Sequence, residues 1–244
     1  QCVPLIMSFV TTGTHPLAPF NSRRIWIAGG RGFIGSRLCR HLLLSGTGAT
    51  VQVYGGDISD ARAVQASILE LRPHFLINLA APVDVRRDPN LADQMKRVIV
   101  GGTRNILDCL SELKGRPRFL QVGTCEEYGA IDAPFSEDHA CGEPVSPYSA
   151  AKLKATRATL RSGANVVVAR PFLTFGPGQR SAGLLPTLIR AGLSGQPFEM
   201  TEGLQTREFN FVDDIAQDLL FTAASMAVRT LLRSKPPAAA AASC

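Results

Sequence analysis

Short apolar runs alternate with amphipathic stretches along most of this chain, and the two periods separate strands from helices. Ile25, Trp26 and Ile27 mark a buried strand over 23–28. Phe33, Ile34, Leu38, Leu42 and Leu43 then recur at helical intervals and predict a helix over 33–45. Gly46-Thr-Gly48 ends it, as glycine past a last turn commonly does. Positions 50–54 alternate and are β-branched, which predicts a second strand. Asp60 stands where a helix over 61–71 needs its N-cap. The apolar run over 75–81 has the pattern of a parallel strand covered on both faces. A helix over 91–113, a strand over 118–122, a helix over 148–161 and a strand over 166–169 follow. Strands alternating with helices predict an α/β fold with a doubly wound parallel sheet. No internal repeat is visible.

The turn after the first strand carries the chemistry. In Arg24-Ile-Trp-Ile-Ala-Gly-Gly-Arg-Gly-Phe-Ile-Gly35, Gly29, Gly32 and Gly35 fall three apart. Glycines there let the backbone turn tightly and approach a pyrophosphate, and the following helix aims free N–H groups at phosphate oxygens. An ordinary strand-to-helix turn with incidental glycines is the plainer alternative, so the rest of the chain has to decide.

Bulk properties narrow the class. The chain has 244 residues, 45% apolar and 19% charged, enough for a substantial globular core. No apolar run reaches membrane-span length, and residues 3–10 lack the basic start and cleavage site of a signal peptide. A net charge of +6 without blocks of like charge does not indicate nucleic-acid binding, but suits anionic small molecules. Cys2, Cys39, Cys109, Cys125, Cys141 and Cys244 show no metal-ligand spacing and read as scattered thiols of a reduced, cytoplasmic protein.

Further stretches, in order, carry a resemblance: Gly56-Asp57-Ile58, Asn78-Leu-Ala-Ala81, Gly123-Thr-Cys-Glu-Glu-Tyr-Gly129 and Tyr148-Ser-Ala-Ala-Lys152. Arg170-Pro-Phe-Leu-Thr-Phe-Gly-Pro-Gly-Gln-Arg180 and Arg207-Glu-Phe-Asn-Phe-Val-Asp-Asp214 complete it. With the glycine loop, this order resembles the extended short-chain dehydrogenase/reductases, and within them the NAD-dependent epimerase/dehydratase family that modifies sugar nucleotides. The resemblance implies a Rossmann-type NAD(P)-binding domain over 23–169 and a partial substrate-binding lobe over 170–233. An extended leader over 1–22 and a low-complexity tail over 234–244 flank them. It implies cofactor contacts from Gly29, Arg31, Gly32, Phe33, Ile34 and Gly35, from Asp57 and Ile58, and from Leu79, Ala80 and Ala81. Tyr148, Lys152 and Pro171 complete that set, and Arg170, Gln179, Arg180 and Arg207 are the substrate-phosphate candidates. Arg suits phosphate because its planar fork donates two hydrogen bonds at once; a solvated surface role is the alternative for each.

The chemistry is legible in part. Tyr148 and Lys152 are four apart and share a helix face. A phenol titrates near pH 10 when unperturbed, and a neighbouring ammonium favours phenolate. Tyr148 then takes a proton from a sugar hydroxyl as hydride leaves the carbon, or returns one to a ketone. Thr124, at a strand's C-terminal end, is placed to hydrogen-bond the reacting oxygen. Glu126 is the fourth catalytic candidate. The family's 4,6-dehydratases usually carry Asp-Glu after the Thr, and here the Asp position is Cys125, read as a small buried side chain. That favours an epimerase or 4-keto reductase over a dehydratase. Arg31 suits a 2′-phosphate, which leans the cofactor from NAD toward NADP, with a solvent-facing Arg31 as the alternative.

Three departures from the family pattern stand out. Ile99 occupies the place of an Asn in the helix facing the site. Only about a dozen residues separate the first helix from Asp57. The chain ends soon after Val212-Asp-Asp214, which reads as a shortened substrate lobe with exposed apolar surface. A truncated, non-catalytic NAD(P)-binding protein is therefore the rival reading. A steroid- or flavonoid-type reductase is a third, opposed by the segments around Gly176 and Arg207. The expected partner is a nucleotide sugar, with no metal, nucleic acid or membrane, and a homodimer as candidate assembly.

Overall fold

The computed structural model describes residues 16–130, 139–179, 183–199, 202 and 207–225; Arg180, residues 1–15 and the tail 234–244 lie outside the described residues. The chain forms β1 (Arg24–Ala28), α1 (Phe33–Leu44), β2 (Thr50–Tyr54), α2 (Ala61–Leu71) and β3 (Phe75–Asn78). A long helical segment follows as α3 (Ala92–Met95), a π-helical stretch (Lys96–Gly101) and α4 (Gly102–Glu112). Next come β4 (Arg118–Val122), α5 (Pro147–Arg161) and β5 (Val166–Ala169).

These five strands pair in parallel in the order β2-β1-β3-β4-β5. From β1 the chain steps outward to β2, then crosses back to β3 on the other side. The crevice outside the C-terminal ends of β1 and β3 is thus a topological switch point, where open α/β sheets bind ligands.

Strand periodicity decides the layers. Ile25, Ile27, Ile77, Leu120 and Val167 face Leu38 and Leu42 of α1 and Ile215 and Leu219 of α7 (Val212–Ala224). Trp26, Leu76 and Phe119 face the other way, onto α2 and α4 through Val64, Ile68, Ile106 and Leu110. Both faces are covered, which is why the strands read as apolar runs. A second, two-stranded parallel sheet joins β6 (Leu173–Phe175) to β7 (Phe209–Phe211). α6 (Leu184–Ser194) has no buried residue and exposes Leu184, Leu188, Ile189 and Leu193. Among the described residues no helix is long and apolar enough to cross a membrane.

Four local differences from the sequence reading have physical causes. Residues 16–22 do not all belong to an extended leader: a 3-10 turn (Ala18–Phe20) buries Phe20 completely, its ring 4.7 Å from that of Phe75. β3 stops at Asn78 rather than continuing to 81, because the Asn78 side chain accepts the Ala80 N–H and turns the chain. The helix predicted over 91–113 contains the π-helical stretch, where Ile99 packs with Met95 and Tyr148. α7, which the sequence division assigns to 170–233, packs on the main sheet beside α1.

Replacing Phe20 by Ala should destabilise the fold by about 3–5 kcal/mol, the usual cost of emptying a buried aromatic site. Urea unfolding followed by circular dichroism measures it; a loss under about 1 kcal/mol would return the segment to the status of a leader.

Candidate active site

Two glycines of the first loop are required by contact. Gly29 has φ +76°, and a Cβ there would lie 2.7 Å from the Ala80 nitrogen and the Leu79 carbonyl carbon. Gly35 backs directly onto the Gly29 carbonyl and has no room for a side chain. The loop is therefore pressed against the end of β3. Gly32 is the N-cap of α1, and no side chain caps that helix. The bare turn and uncapped N-terminus form a cradle that fits a pyrophosphate. Phe33 and Ile34 are half-buried, with Ile34 packed on the core. Leu79 and Ala80 pack on the two core layers, and Ala81 packs beside Met95 and Tyr148.

The end of β2 is built differently from the usual adenosine pocket. Tyr54 is followed by Gly55 and Gly56, and the Arg31 guanidinium lies over Gly55, 3.2 Å from where a Cβ would be. Asp57 accepts the Ser59 N–H and pairs with Arg97 at 3.0 Å, and these bonds hold its carboxyl below the usual range. The Ile58 side chain is not open to a cofactor: it is buried, against the bare Cα of Gly102 in α4.

The catalytic candidates meet at the C-terminal end of β4. Thr124 caps a 3-10 turn (Cys125–Tyr128), with its hydroxyl beside the Tyr148 phenol. Ser146 caps α5, with Pro147 in the first turn, and so sets Tyr148 at the helix start. Lys152, one turn on, is buried and donates to the Val122 carbonyl at 2.8 Å. Glu126 accepts the Ser146 hydroxyl at 3.4 Å, and burial raises its carboxyl above the usual range. Below them lies a buried amide network. Asn78 Nδ2 donates to Gln121 Oε1 at 3.0 Å, and Gln121 Nε2 donates to the same Val122 carbonyl that holds Lys152. Thr103 reaches Gln121 at 3.4 Å.

The electrostatics correct one expectation. Lys152 does not draw the Tyr148 phenol down in this state. Burial holds the phenol above its ordinary value, and the charges of Glu126 and Glu127 add to that; the Thr124 hydroxyl acts the other way. The ammonium is tied to Val122, 5.8 Å from the Tyr148 ring centre, and burial pulls its own pKa down to about 8. Cys125 is pushed up to about 11, by burial first and Glu126 second, so it is a neutral thiol at pH 7.

Arg170 requires a second correction. It is not an open phosphate clamp but a buried partner of Glu127, with Nε 2.9 Å from Oε2 and the guanidinium 5.0 Å from the Tyr128 ring centre. The other Glu127 oxygen accepts the Thr124 N–H at 3.0 Å. Glu127 escapes a reading based on catalytic motifs, yet Thr124-Cys-Glu-Glu127 has the spacing of a capping box, which signals it. Pro171 is buried, and its carbonyl accepts the Cys125 N–H. Gln179 turns inward to the Thr174 carbonyl at 3.2 Å, while Arg207 is exposed. Among the described residues no group of three His, Cys, Asp or Glu is arranged to hold a metal.

Glu127→Ala would leave the Arg170 guanidinium buried and unpaired. It should cost about 3–5 kcal/mol of stability, read as a lower urea midpoint at unchanged slope; a shift below about 1 kcal/mol would make the pair incidental.

The model of the NAD dependent epimerase/dehydratase family matches residues 25–229. The chain is 30% identical over 236 residues to dTDP-glucose 4,6-dehydratase of Neisseria meningitidis serogroup B, covering 81% of this chain and 66% of that protein. It is 31% identical over 225 residues to UDP-N-acetyl-alpha-D-glucosaminuronate decarboxylase of Bacillus cytotoxicus, covering 80% and 69%. The chain thus spans about two thirds of the length of these curated relatives. Among solved structures, MoeE5 in complex with UDP-glucuronic acid and NAD superposes with a TM-score of 0.72 at 28% identity, over 85% of this chain and 74% of that one. DesIV of Streptomyces venezuelae, a dTDP-glucose 4,6-dehydratase with NAD and TYD bound, shares the fold at a TM-score of 0.73 and 24% identity, over 85% and 74%. By sequence and by fold, this chain belongs to the NAD-dependent epimerase/dehydratase family.

Proposed function

We propose that this chain carries the cofactor half and the proton-transfer residues of an NAD(P)-dependent enzyme that acts on a nucleotide sugar, as an epimerase or 4-keto reductase. The observation that carries the reading is the meeting of Thr124, Tyr148 and Lys152 at the sheet edge that also holds the glycine cradle. When bound, the dinucleotide supplies the hydride acceptor or donor.

The chain's own residues do the rest. Tyr148 moves a proton to or from the sugar oxygen. Thr124 lies beside that phenol and orients the same oxygen. Burial and the charges of Glu126 and Glu127 oppose deprotonation of the phenol. Lys152 is held in place by its bond to the Val122 carbonyl, one turn beyond Tyr148. The neutral Cys125 thiol is a poor acid partner for eliminating water. A second reading, a 4,6-dehydratase, draws on the raised Glu126 carboxyl, which suits a general acid, and on the name of the Neisseria relative.

Incubation with a panel of nucleotide sugars, with products identified by mass and by sugar stereochemistry, tests the reading. An epimer or a reduced sugar is the expected product, and loss of water would establish the dehydratase instead. Tyr148→Phe should lower turnover by about two orders of magnitude or more while cofactor affinity stays within a factor of about two; retained turnover would end the Tyr148 assignment.

For the cofactor we read NADP. The guanidinium of Arg31 covers the strand end where an NAD-type acid would otherwise meet the ribose. Arg31→Ala should weaken NADPH binding about tenfold or more, the loss expected for a charged hydrogen bond. NADH binding should change little. Fluorescence titration of both reports it, and equal losses would leave Arg31 without a selective role.

A further inference from the structure

At the opposite end of the sheet, below the starts of β1, β3 and β4, lies a cavity of about 780 Å³. Arg23, Arg24, Arg72, Lys114, Arg116 and Arg118 all line it. Among the described residues none of these six has an acidic partner within ion-pair distance. Glu112 is the acid in the wall, and both its oxygens accept from the Gln65 amide.

One of the cations has a local explanation. Arg24 donates to the carbonyls of Leu71 and Arg72 and so closes the C-terminus of α2. The others are less well accounted for. Arg118 is half-buried, and its Nε is buried without a hydrogen-bond partner. Its Nη1 makes only a long contact, 3.5 Å, to the Ala223 carbonyl. Burial lowers the pKa of this guanidinium, yet it remains a cation. Arg72 and Arg116 hold left-handed backbone conformations, φ +48° and +47°, which Gly or Asn would adopt at lower cost. His74 accepts the Arg24 N–H on Nδ1, and burial together with the charges of Arg24 and Arg23 keeps its imidazole neutral. Clustered cations without countercharge repel one another, and a bound anion relieves that repulsion.

We propose that this cavity is a second anion site, for a small molecule of nucleotide size carrying two or more phosphates, separate from the cofactor cleft. The volume lies within the range for small-molecule pockets and far exceeds the need of one inorganic phosphate. Leu69, Pro73 and Phe75 give its wall an apolar part for a base or sugar, beside the cations for the phosphates. The C-terminal ends of the strands, where the glycine cradle lies, are at the other edge of the sheet, so both sites can be filled together.

The test uses ATP and inorganic pyrophosphate as probes, titrated calorimetrically into the chain with and without saturating NADPH. Binding that persists beside NADPH and weakens with added salt is expected. The variant Arg23→Ala/Lys114→Ala/Arg116→Ala changes exposed side chains and should raise the Kd for ATP at least about tenfold. NADPH affinity should be unchanged in it. A variant with altered circular dichroism is replaced by Lys114→Glu, from which the same direction is expected. Absence of ATP binding at millimolar concentration, displacement of ATP by NADPH, or an unchanged Kd in a folded variant would each overturn the proposal.

Discussion

The buried carboxylate of Glu127 is the constraint on which the candidate site depends. It has no exposure to solvent, and its two oxygens serve different segments. One holds the Thr124 backbone N–H, which fixes the turn carrying Thr124, Cys125 and Glu126. The other holds Arg170, the residue after β5. A carboxylate taken out of water needs such partners, or burial would neutralise it. Gly123 is part of the same fit, because a side chain there would overlap the Glu127 carboxylate. One buried ion pair therefore fixes the turn at Thr124 against the segment that leaves β5.

Around that pair the fold uses backbone groups to place side chains. Lys152 and Gln121 share the Val122 carbonyl, and Gln121 reaches Asn78 on the neighbouring strand. Asn78 in turn ends β3 by accepting the Ala80 N–H, and Ala80 is the surface on which Gly29 rests. The glycine cradle and the Lys152 anchor are thus joined through four hydrogen-bonded residues and one close backbone contact. Buried polar groups connected in this way are satisfied within the protein and hold one geometry.

Charge is distributed with the same polarity as the sheet. At the C-terminal ends of the strands, the charges of Glu126 and Glu127 oppose ionisation of Tyr148, and the charge of Glu126 opposes ionisation of Cys125. At the N-terminal ends, arginines and a lysine gather around a concave surface. The helices α2 and α4 end there, and their free carbonyls favour cations nearby. That accounts for Arg24 more completely than for Arg118, whose Nε lies buried away from any acceptor.

Local sequence by itself determined the elements, the parallel sheet, the glycine turn and the pairing of Tyr148 with Lys152 on one helix face. Those features depend on residue spacing and on turn chemistry, which are local. Tertiary structure alone decided the rest. Arg170 looks like a phosphate ligand in its motif, and only the fold brings Glu127 beside it, 43 residues away in sequence. Lys152 and Tyr148 sit four apart, but burial and the Val122 carbonyl determine that the ammonium does not reach the phenol's charge. Ile58 and Leu17 read as a pocket residue and a leader residue until packing buries both. The basic cavity is assembled from the starts of three strands and the loops before them, so no single stretch of sequence contains it. Desolvation and long-range pairing depend on what surrounds a group in space, and the order of residues along the chain does not specify those surroundings one segment at a time.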